Sequence, residues 1–326
     1  APELEQWKYP LPGDSAIIMI NRVVIDIENS KLIRFKMPAD ARRSTLCDDI
    51  ACNGSLSDTY WSKDGSQVAF VSVSRDHKKS NLRVANALTG DVRDVFEETV
   101  PTQYESGQGD VNWKFLPASN EFIWYSERNN FGHLYLYDLT TGHLKNQITN
   151  GSFTITRVID VDEEKRTILF EACGSGSNPY YKNYYSINFN GKNLKRLTPA
   201  DGNHSIIRSP DNKYFIDTYS SPNTAPQIIL SDAKGKKLMD LETADISQLL
   251  ASGWQAPIPF TFRSANNAFD LYGLLYLPPN IDATKKYPLI NNIYPGPQGG
   301  TIGYWGFSAS RSDCNALAQL GFIVVQ

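Results

Sequence analysis

Tyr294 is the side chain that the sequence most clearly places for chemistry. It follows the apolar run 289–293, which predicts a buried strand, and it precedes the proline- and glycine-rich segment 295–300. Proline cannot donate to a strand ladder and glycine allows positive φ, so the chain must turn sharply after the tyrosine. A phenol at the carboxyl end of a buried strand lies where α/β sheets hold binding and catalytic groups. The alternative is a purely structural hydrogen bond from the phenol.

The residues after Tyr294 predict the first elements of a parallel sheet. Residues 311–320 have helical periodicity, with Ala316, Leu317 and Leu320 on one side of the helix. A second apolar run, 322–325, follows at once. A strand, a turn, a helix and another strand in this order are typical of an α/β sheet.

Most of the chain before this region carries a loose repeat, in which a polar turn introduces a strand. The four copies begin at residues 61–66, 113–120, 162–165 and 208–212. Most continue into a second strand and a turn that contains glycine, as at 134–142. A spacing of roughly 45 to 55 residues is typical of four-stranded propeller blades. The sequence therefore predicts a mainly β chain with part of a β-propeller, and an irregular β-sandwich is the alternative. A hairpin from residues 16–26 and 32–35 precedes the repeat.

Composition excludes several classes of partner. At 326 residues, with 41% hydrophobic and 21% charged residues, the chain exceeds one average domain and can bury a core. A net charge of −3 argues against nucleic acid or an anionic membrane as a general partner. No apolar run approaches the roughly 20 residues that span a bilayer, and no signal peptide is evident. We expect no cofactor.

The four cysteines are Cys47, Cys52, Cys173 and Cys314. Cys47 and Cys52 are close enough in sequence to close a small disulfide loop, which would suit an exported protein. A reduced pair is equally open. A zinc site is not expected, because none of the four histidines lies near the pair.

Several stretches resemble the prolyl oligopeptidase family of serine peptidases, and they are closest to its dipeptidyl peptidase IV branch. KKYPLINNIYPGPQGG (285–300) and ALAQLGFIVVQ (316–326) resemble the opening of the hydrolase domain. Four further segments resemble this branch in family order: KYPLPGD (8–14), WYSERNNFGHLYLYDL (124–139), YSSPNTAPQIIL (219–230) and LYGLLYLPPNID (271–282). The resemblance implies a propeller that caps an α/β-hydrolase domain. It also implies that a tyrosine stabilises the oxyanion of an acyl-transfer intermediate, and the matching residue is Tyr294.

The patterns and the resemblance together predict two domains. Residues 1–245 are expected to form the later part of a propeller, and residues 246–326 the truncated start of an α/β-hydrolase domain. The boundary is expected between Leu241 and Pro259, a range that ends in the proline-bearing linker 254–259. The runs 260–263 and 271–277 then predict an antiparallel hairpin that leads the hydrolase sheet.

Two departures from the family limit what the resemblance implies. In the family a Glu-Glu pair captures the free amino terminus of the substrate, and its place would lie before residue 1. The acidic pairs in this chain stand elsewhere and are interpreted as solvated turn charges: Asp48-Asp49, Glu97-Glu98 and Glu163-Glu164. At 131–133 the chain has Phe-Gly-His, where many members carry an aromatic residue, Arg and His. His133 is expected to make a structural hydrogen bond between strands, and His77 and His143 to be exposed turn residues.

Acyl-transfer catalysis of this class needs a serine on a G-x-S-x-G elbow, followed by Asp and His. No elbow is present: 174–177 is a Gly-Ser turn between strands, and 306–310 lacks the second glycine. His204 and Asp211 are assigned to blade turns and cannot complete a triad. The sequence therefore predicts that the nucleophile, acid and base are absent from this chain.

These observations predict a fragment of an exported, periplasmic or secreted, serine-type exopeptidase. It would hydrolyse bonds near the N-terminus of short peptides, with the propeller limiting access. The partner is a peptide, and a homodimer is an option because the family includes dimers. The chain alone is expected to be inactive. The alternative is a non-enzymatic propeller that binds a protein partner, because fold alone does not give function.

Overall fold

The computed structural model describes residues 3–4, 11, 13–41, 51–52, 55–56, 59–104, 106, 111–174, 176–294 and 302–326. Three antiparallel two-stranded pairs come first in the chain. They are β1 (Met19–Ile20) with β4 (Asp40–Ala41), β2 (Val23–Asp26) with β3 (Lys31–Arg34), and β5 (Ala51–Cys52) with β6 (Ser55–Leu56). The hairpin predicted near the N-terminus is confirmed as β2 and β3.

Four four-stranded sheets follow, and in each of them consecutive strands are neighbours. Sheet I contains β7 (Thr59–Trp61), β8 (Gln67–Val73), β9 (Lys79–Asn86) and β10 (Val92–Thr99). Sheet II contains β11 (Lys114–Leu116), a 3-10 turn (Pro117–Ser119), β12 (Glu121–Ser126), β13 (His133–Asp138) and β14 (Leu144–Gln147). Sheet III contains β15 (Thr154–Asp162), β16 (Thr167–Cys173), β17 (Asn183–Asn188) and β18 (Lys195–Arg196). Sheet IV contains β19 (Asn203–Arg208), β20 (Tyr214–Ser221), β21 (Thr224–Asp232) and β22 (Lys237–Thr243). The prediction of a mainly β chain with four-stranded propeller blades is confirmed.

The polar turns that introduce these strands are closed by local side-chain hydrogen bonds. Ser62 Oγ donates to the Asp64 carboxylate (2.7 Å), and the Ser66 backbone N–H donates to the same group (3.1 Å). Ser209 Oγ donates to Asp211 (2.7 Å) in the corresponding turn of sheet IV. The hydrogen bonds from Ser62 and Ser66 lower the pKa of Asp64 to about 2. Because these turns depend on neighbours in sequence alone, their pattern is visible in the sequence.

A glycine lies in the turn between the third and fourth strands of every one of these sheets. Gly90, Gly142, Gly191 and Gly235 have φ of 74°, 70°, 76° and 80°. A Cβ at Gly142 would lie 2.2 Å from the carbonyl oxygen of Val95, on the last strand of sheet I. A Cβ at Gly235 would lie 2.5 Å from the carbonyl oxygen of Leu197, just after the last strand of sheet III. Glycine is required here both for positive φ and for close approach to the preceding blade.

The core between sheets I and II is largely aromatic. Trp113, Phe122 and Trp124 are fully buried. Phe96 of sheet I contacts the edge of Trp124 with the ring centroids 5.2 Å apart, and Tyr137 stacks on Phe122 at 5.0 Å. Aromatic side chains bury about 150–250 Å² each, so this cluster holds the two blades face to face.

The residues after sheet IV form a mixed sheet of four strands. In chain order the elements are α1 (Ser247–Ala251), β23 (Ile258–Arg263), β24 (Asp270–Tyr276), β25 (Leu289–Asn291), α2 (Cys314–Gln319) and β26 (Ile323–Val325). The strand order is β23-β24-β26-β25, with β23 and β24 as the predicted antiparallel hairpin and β25 parallel to β26. The predicted order of strand, helix and parallel strand is confirmed.

The helix after Tyr294 differs from the prediction in length and in its buried side. It covers six residues and buries Cys314 and Ala318, whereas Ala316 is exposed and Leu320 is 75% exposed. The helix begins three residues later and ends one residue earlier than predicted, and Gly321, with φ of 99°, follows its C-cap.

The prediction that β25 is a buried strand is wrong. Leu289 is 63% exposed, and Ile293, just after the strand, is 56% exposed. The reason is that β25 is an edge strand of the described sheet, with β26 on one side only.

The chain forms two compact units, residues 1–170 with 187–194, and residues 171–186 with 195–326. Sheets I and II belong to the first unit, and sheet IV and the mixed sheet to the second. Within the described ranges, no helix has the length and apolar character needed to cross a bilayer.

Candidate functional site

β25 and β26 determine the position of Tyr294. The Asn292 backbone N–H donates to the Val325 carbonyl (2.8 Å), which extends the parallel pairing one residue beyond β25. Tyr294 follows two residues later, at the carboxyl end of the strand, and is 69% exposed. The phenol is therefore not part of a packed interior. The predicted turn at 295–300 lies outside the described residues.

The strand end that carries Tyr294 is attached to the first turn of α2. The side-chain amide of Asn292 donates to the Cys314 sulfur (Nδ2–Sγ 3.0 Å), and Cys314 is fully buried. This contact links two elements that are far apart in sequence. It fixes the direction in which the chain leaves β25.

Arg311 organises the segment that precedes α2. Its guanidinium is buried and donates to the carbonyl oxygens of Ile302 (3.2 Å), Gly306 (2.6 Å) and Tyr304. The helix begins after this segment because Ser312 has φ of 47°, which is outside the right-handed helical region.

The assignment of His204 to a blade turn is wrong. His204 lies on β19, and its buried ring places Nδ1 2.9 Å from both carboxylate oxygens of Asp217 on β20. Nε2 is 3.0 Å from the Ala200 carbonyl oxygen, and the ring stacks on Tyr219. Both ring nitrogens are engaged, so neither is available to accept a proton from a serine.

The interpretation of Glu98 as a solvated turn charge is also wrong. Glu98 lies on β10, is 8% exposed, and accepts hydrogen bonds from Trp124 Nε1 (2.6 Å) and Ser126 Oγ. The Arg128 guanidinium lies 3.4 Å from the same carboxylate. Strand alternation could have found this residue, because Glu98 is two positions after Phe96 on a strand and shares its inward face.

The remaining acidic residues that were predicted to be solvated turn charges occupy different environments. Glu97 is on the outer side of β10 and forms an exposed ion pair with Lys79 (2.7 Å). Glu163 and Glu164 are exposed in the turn between β15 and β16, as expected. The third pair, at 48–49, lies outside the described residues.

His133 makes the structural hydrogen bonds that were expected of it. The side chain is 2% exposed, with Nδ1 3.1 Å from Thr149 Oγ1 and Nε2 3.1 Å from the Gly151 carbonyl oxygen. Burial lowers the pKa of His133. Its neighbour Gly132 has no room for a side chain, because a Cβ there would lie 1.8 Å from the Tyr125 hydroxyl. His143 is exposed, whereas His77 is only partly so, in a turn with φ of 58°.

The cysteines that the structure describes are thiols. Cys314 is buried and Cys173 is partly buried; burial and the charge of Glu171 raise the pKa of Cys173 to about 11. Cys47 lies outside the described residues, as does the side chain of Cys52, so the predicted disulfide stays a prediction. Nowhere in the described part of the chain do three or more metal-ligating side chains cluster.

Comparison with known families decides what this assembly of blades belongs to. The family described as "Dipeptidyl peptidase IV (DPP IV) N-terminal region" matches residues 1–226. The chain belongs to this family. The match includes sheets I to III and much of sheet IV.

Individual relatives point the same way. Human "Dipeptidyl peptidase 8" is 30% identical over 175 residues, which cover 51% of this chain and 19% of that protein. "Probable dipeptidyl-aminopeptidase B" of Aspergillus oryzae is 23% identical over 344 residues, which cover 99% of this chain and 36% of that protein.

A solved structure shows the same fold. The crystal structure of Porphyromonas gingivalis dipeptidyl peptidase 4 superposes with a TM-score of 0.73 at 20% identity, covering 94% of this chain and 41% of that one. The chain thus spans less than half the length of these dipeptidyl peptidases.

Proposed function

We propose that this chain is part of a serine-type dipeptidyl peptidase, which removes residues from the N-terminus of short peptides through an acyl-enzyme. The observation that carries the proposal is the position of Tyr294. It matches the oxyanion-stabilising tyrosine of the family and lies exposed at the carboxyl end of β25, in a chain that belongs to the DPP IV N-terminal region family.

The proposed role of Tyr294 is to donate its hydroxyl to the oxyanion that forms when the scissile carbonyl is attacked. Negative charge develops on that oxygen only in the transition state, so a donor already in place lowers the barrier selectively. The contact between Asn292 and Cys314 supports this role, because it holds the end of β25 before the reaction begins.

The remaining machinery is proposed to come from segments that this sequence does not contain. We place the nucleophile on a G-x-S-x-G elbow after Gln326, followed by the acid and the base. The blades limit access to short or unfolded peptides, and the α/β-hydrolase domain begins near residue 246. An exported location and a homodimer belong to the same proposal.

Fluorophosphonate labelling tests the proposal directly, because the probe reacts only with an activated serine. The product of the complete gene is expected to be labelled and to hydrolyse dipeptidyl chromogenic amides. The 326-residue chain is expected to show neither property. An unlabelled complete product, or a gene that ends near Gln326, would instead favour the propeller that only binds a protein partner.

A further inference from the structure

A polar cavity of about 330 Å³ lies inside the second unit. Its walls come from the loop between β16 and β17, the turns that flank β19 and β20, the hairpin β23–β24, and Trp305. Its volume is at the lower end of the range of about 300–1,000 Å³ for ligand sites, so it suits one side chain and its adjoining peptide group.

Asp201 gives the cavity its charge. One carboxylate oxygen accepts a hydrogen bond from Ser177 Oγ (2.7 Å), and the other has no hydrogen-bond partner among the described residues. Arg196 is near in sequence, but its guanidinium donates to Asn183, Ala200 and Thr198. No described lysine or arginine lines the cavity, so the charged side chain in its lining is an anion.

Aromatic rings form one wall of the cavity. Trp305 is 4% exposed and stacks on Tyr180 with the ring centroids 5.3 Å apart. Tyr180 in turn contacts the Tyr272 ring edge-to-face at 5.8 Å, which holds Tyr272 in place in the lining. Tyr272 is less buried than Trp305, and a tyrosine ring can attract a cation through its quadrupole.

Two side-chain amides add hydrogen-bond donors. Asn178 is 7% exposed; its Oδ1 accepts the Tyr180 N–H (2.9 Å), and its Nδ2 donates to no described residue. Asn223, which is exposed, accepts a hydrogen bond from Ser221 (2.7 Å), and its Nδ2 donates to no described residue. Both amides can therefore donate to an acceptor that enters the cavity, and a peptide carbonyl is such a group.

We propose that this cavity binds the lysine or arginine side chain of a peptide, with Asp201 pairing the cationic group and the asparagine amides donating to the neighbouring carbonyl oxygen. The proposal concerns binding alone and does not depend on the proposed catalytic role of Tyr294. A guanidinium fits best, because its planar donors can bond a carboxylate while its face stacks on an aromatic ring.

The test is an NMR titration of the chain with N-acetyl-arginine amide, and with the neutral analogue N-acetyl-citrulline amide. We expect arginine to bind at least about tenfold more tightly than citrulline, because only arginine carries the charge that the Asp201 carboxylate attracts. Asp201→Asn keeps the shape of the side chain and should lower the affinity for arginine to the level of citrulline. The matched control is Asp211→Asn, an exposed aspartate in the turn before β20, which should bind like the unmodified chain.

Separate outcomes would overturn the proposal. They are equal affinity for the two probes, unchanged arginine affinity in Asp201→Asn, or loss of affinity in Asp211→Asn as well. Absence of binding at tens of millimolar would also overturn it. Because activity is not measured, failure here leaves the labelling experiment unaffected.

Discussion

Glu121 is a buried charge in the described part of the second blade. It is 1% exposed on β12, and its carboxylate is paired with Lys145 and with both terminal nitrogens of Arg166. Burial raises the pKa of Glu121, but the hydrogen bonds from Arg166 and Lys145 outweigh it and lower the pKa to about 2. The folded chain therefore favours the ionised form of Glu121 more strongly than the unfolded chain does.

Glu121→Gln should therefore destabilise the fold in a pH-dependent way. At pH 7 the substitution leaves Lys145 and Arg166 without their anion. Because both cations are partly exposed, we expect the free energy of unfolding to fall by about 2 kcal/mol, rather than by the roughly 3–5 kcal/mol that breaking a fully buried pair costs. A depressed pKa means that the stabilisation is present above the unfolded pKa of about 4.5 and is lost as pH falls towards 2.

Urea unfolding of the Glu121→Gln variant and of the unmodified chain at pH 7, 4 and 3 measures how this stabilisation changes with pH. Glu164→Gln, an exposed turn residue, is the control and should be neutral at each pH. If the difference in the free energy of unfolding between Glu121→Gln and the unmodified chain stayed constant with pH, the lowered pKa of Glu121 would be contradicted.

At this scale the sequence predicts which residues are polar but not which of them are paired. The pairing of His204 with Asp217 depends on the register of β19 against β20, where Ile206 is opposite Asp217. Register is set by the turn and by both faces of the sheet, so neither partner alone indicates the other. Tyr294 is different, because a turn signal directly after an apolar run marks its place.

The packing of the strands depends on how closely one blade approaches the next, and a substitution at Gly142 tests this dependence. Gly142→Ala would place a methyl group 2.2 Å from the Val95 carbonyl oxygen at φ of 70°. Gly65→Ala is the matched control, with φ of 71° and nothing within 4 Å.

We expect Gly65→Ala to cost about 1 kcal/mol, from backbone strain alone. Gly142→Ala should cost about 2–4 kcal/mol, because the contact with the preceding blade must also open. Equal shifts in the thermal unfolding midpoint for the two variants would show that close approach between blades contributes little.

Most elements could be predicted from the sequence because their signals are local. In sheets I and IV, the turn between the first two strands is closed by serine and aspartate side chains that are neighbours in sequence. The limits of α2 and the exposure of β25 could not be predicted in this way. They depend on the positive φ at Ser312, just before the helix, and on which strands lie beside β25.

On the scale of the whole molecule, the family assignment and the proposed role of Tyr294 rest on different parts of the chain. The family match covers residues 1–226, whereas Tyr294 lies in the mixed sheet after it. The blades therefore establish the family, and the catalytic proposal depends on the mixed sheet continuing into a complete hydrolase domain. The domain boundary proposed near residue 246 depends on the same continuation of the mixed sheet.

The measurement that tests the account most directly is the turnover of the complete gene product carrying Tyr294→Phe. Removing only the hydroxyl should lower kcat by about 10²–10³ with little change in KM, because the lost hydrogen bond forms in the transition state. Fluorophosphonate labelling should persist but slow, and Tyr214→Phe, an exposed tyrosine on β20, should leave kcat unchanged. A Tyr294→Phe enzyme with a kcat within about twofold of the unmodified enzyme would contradict the account.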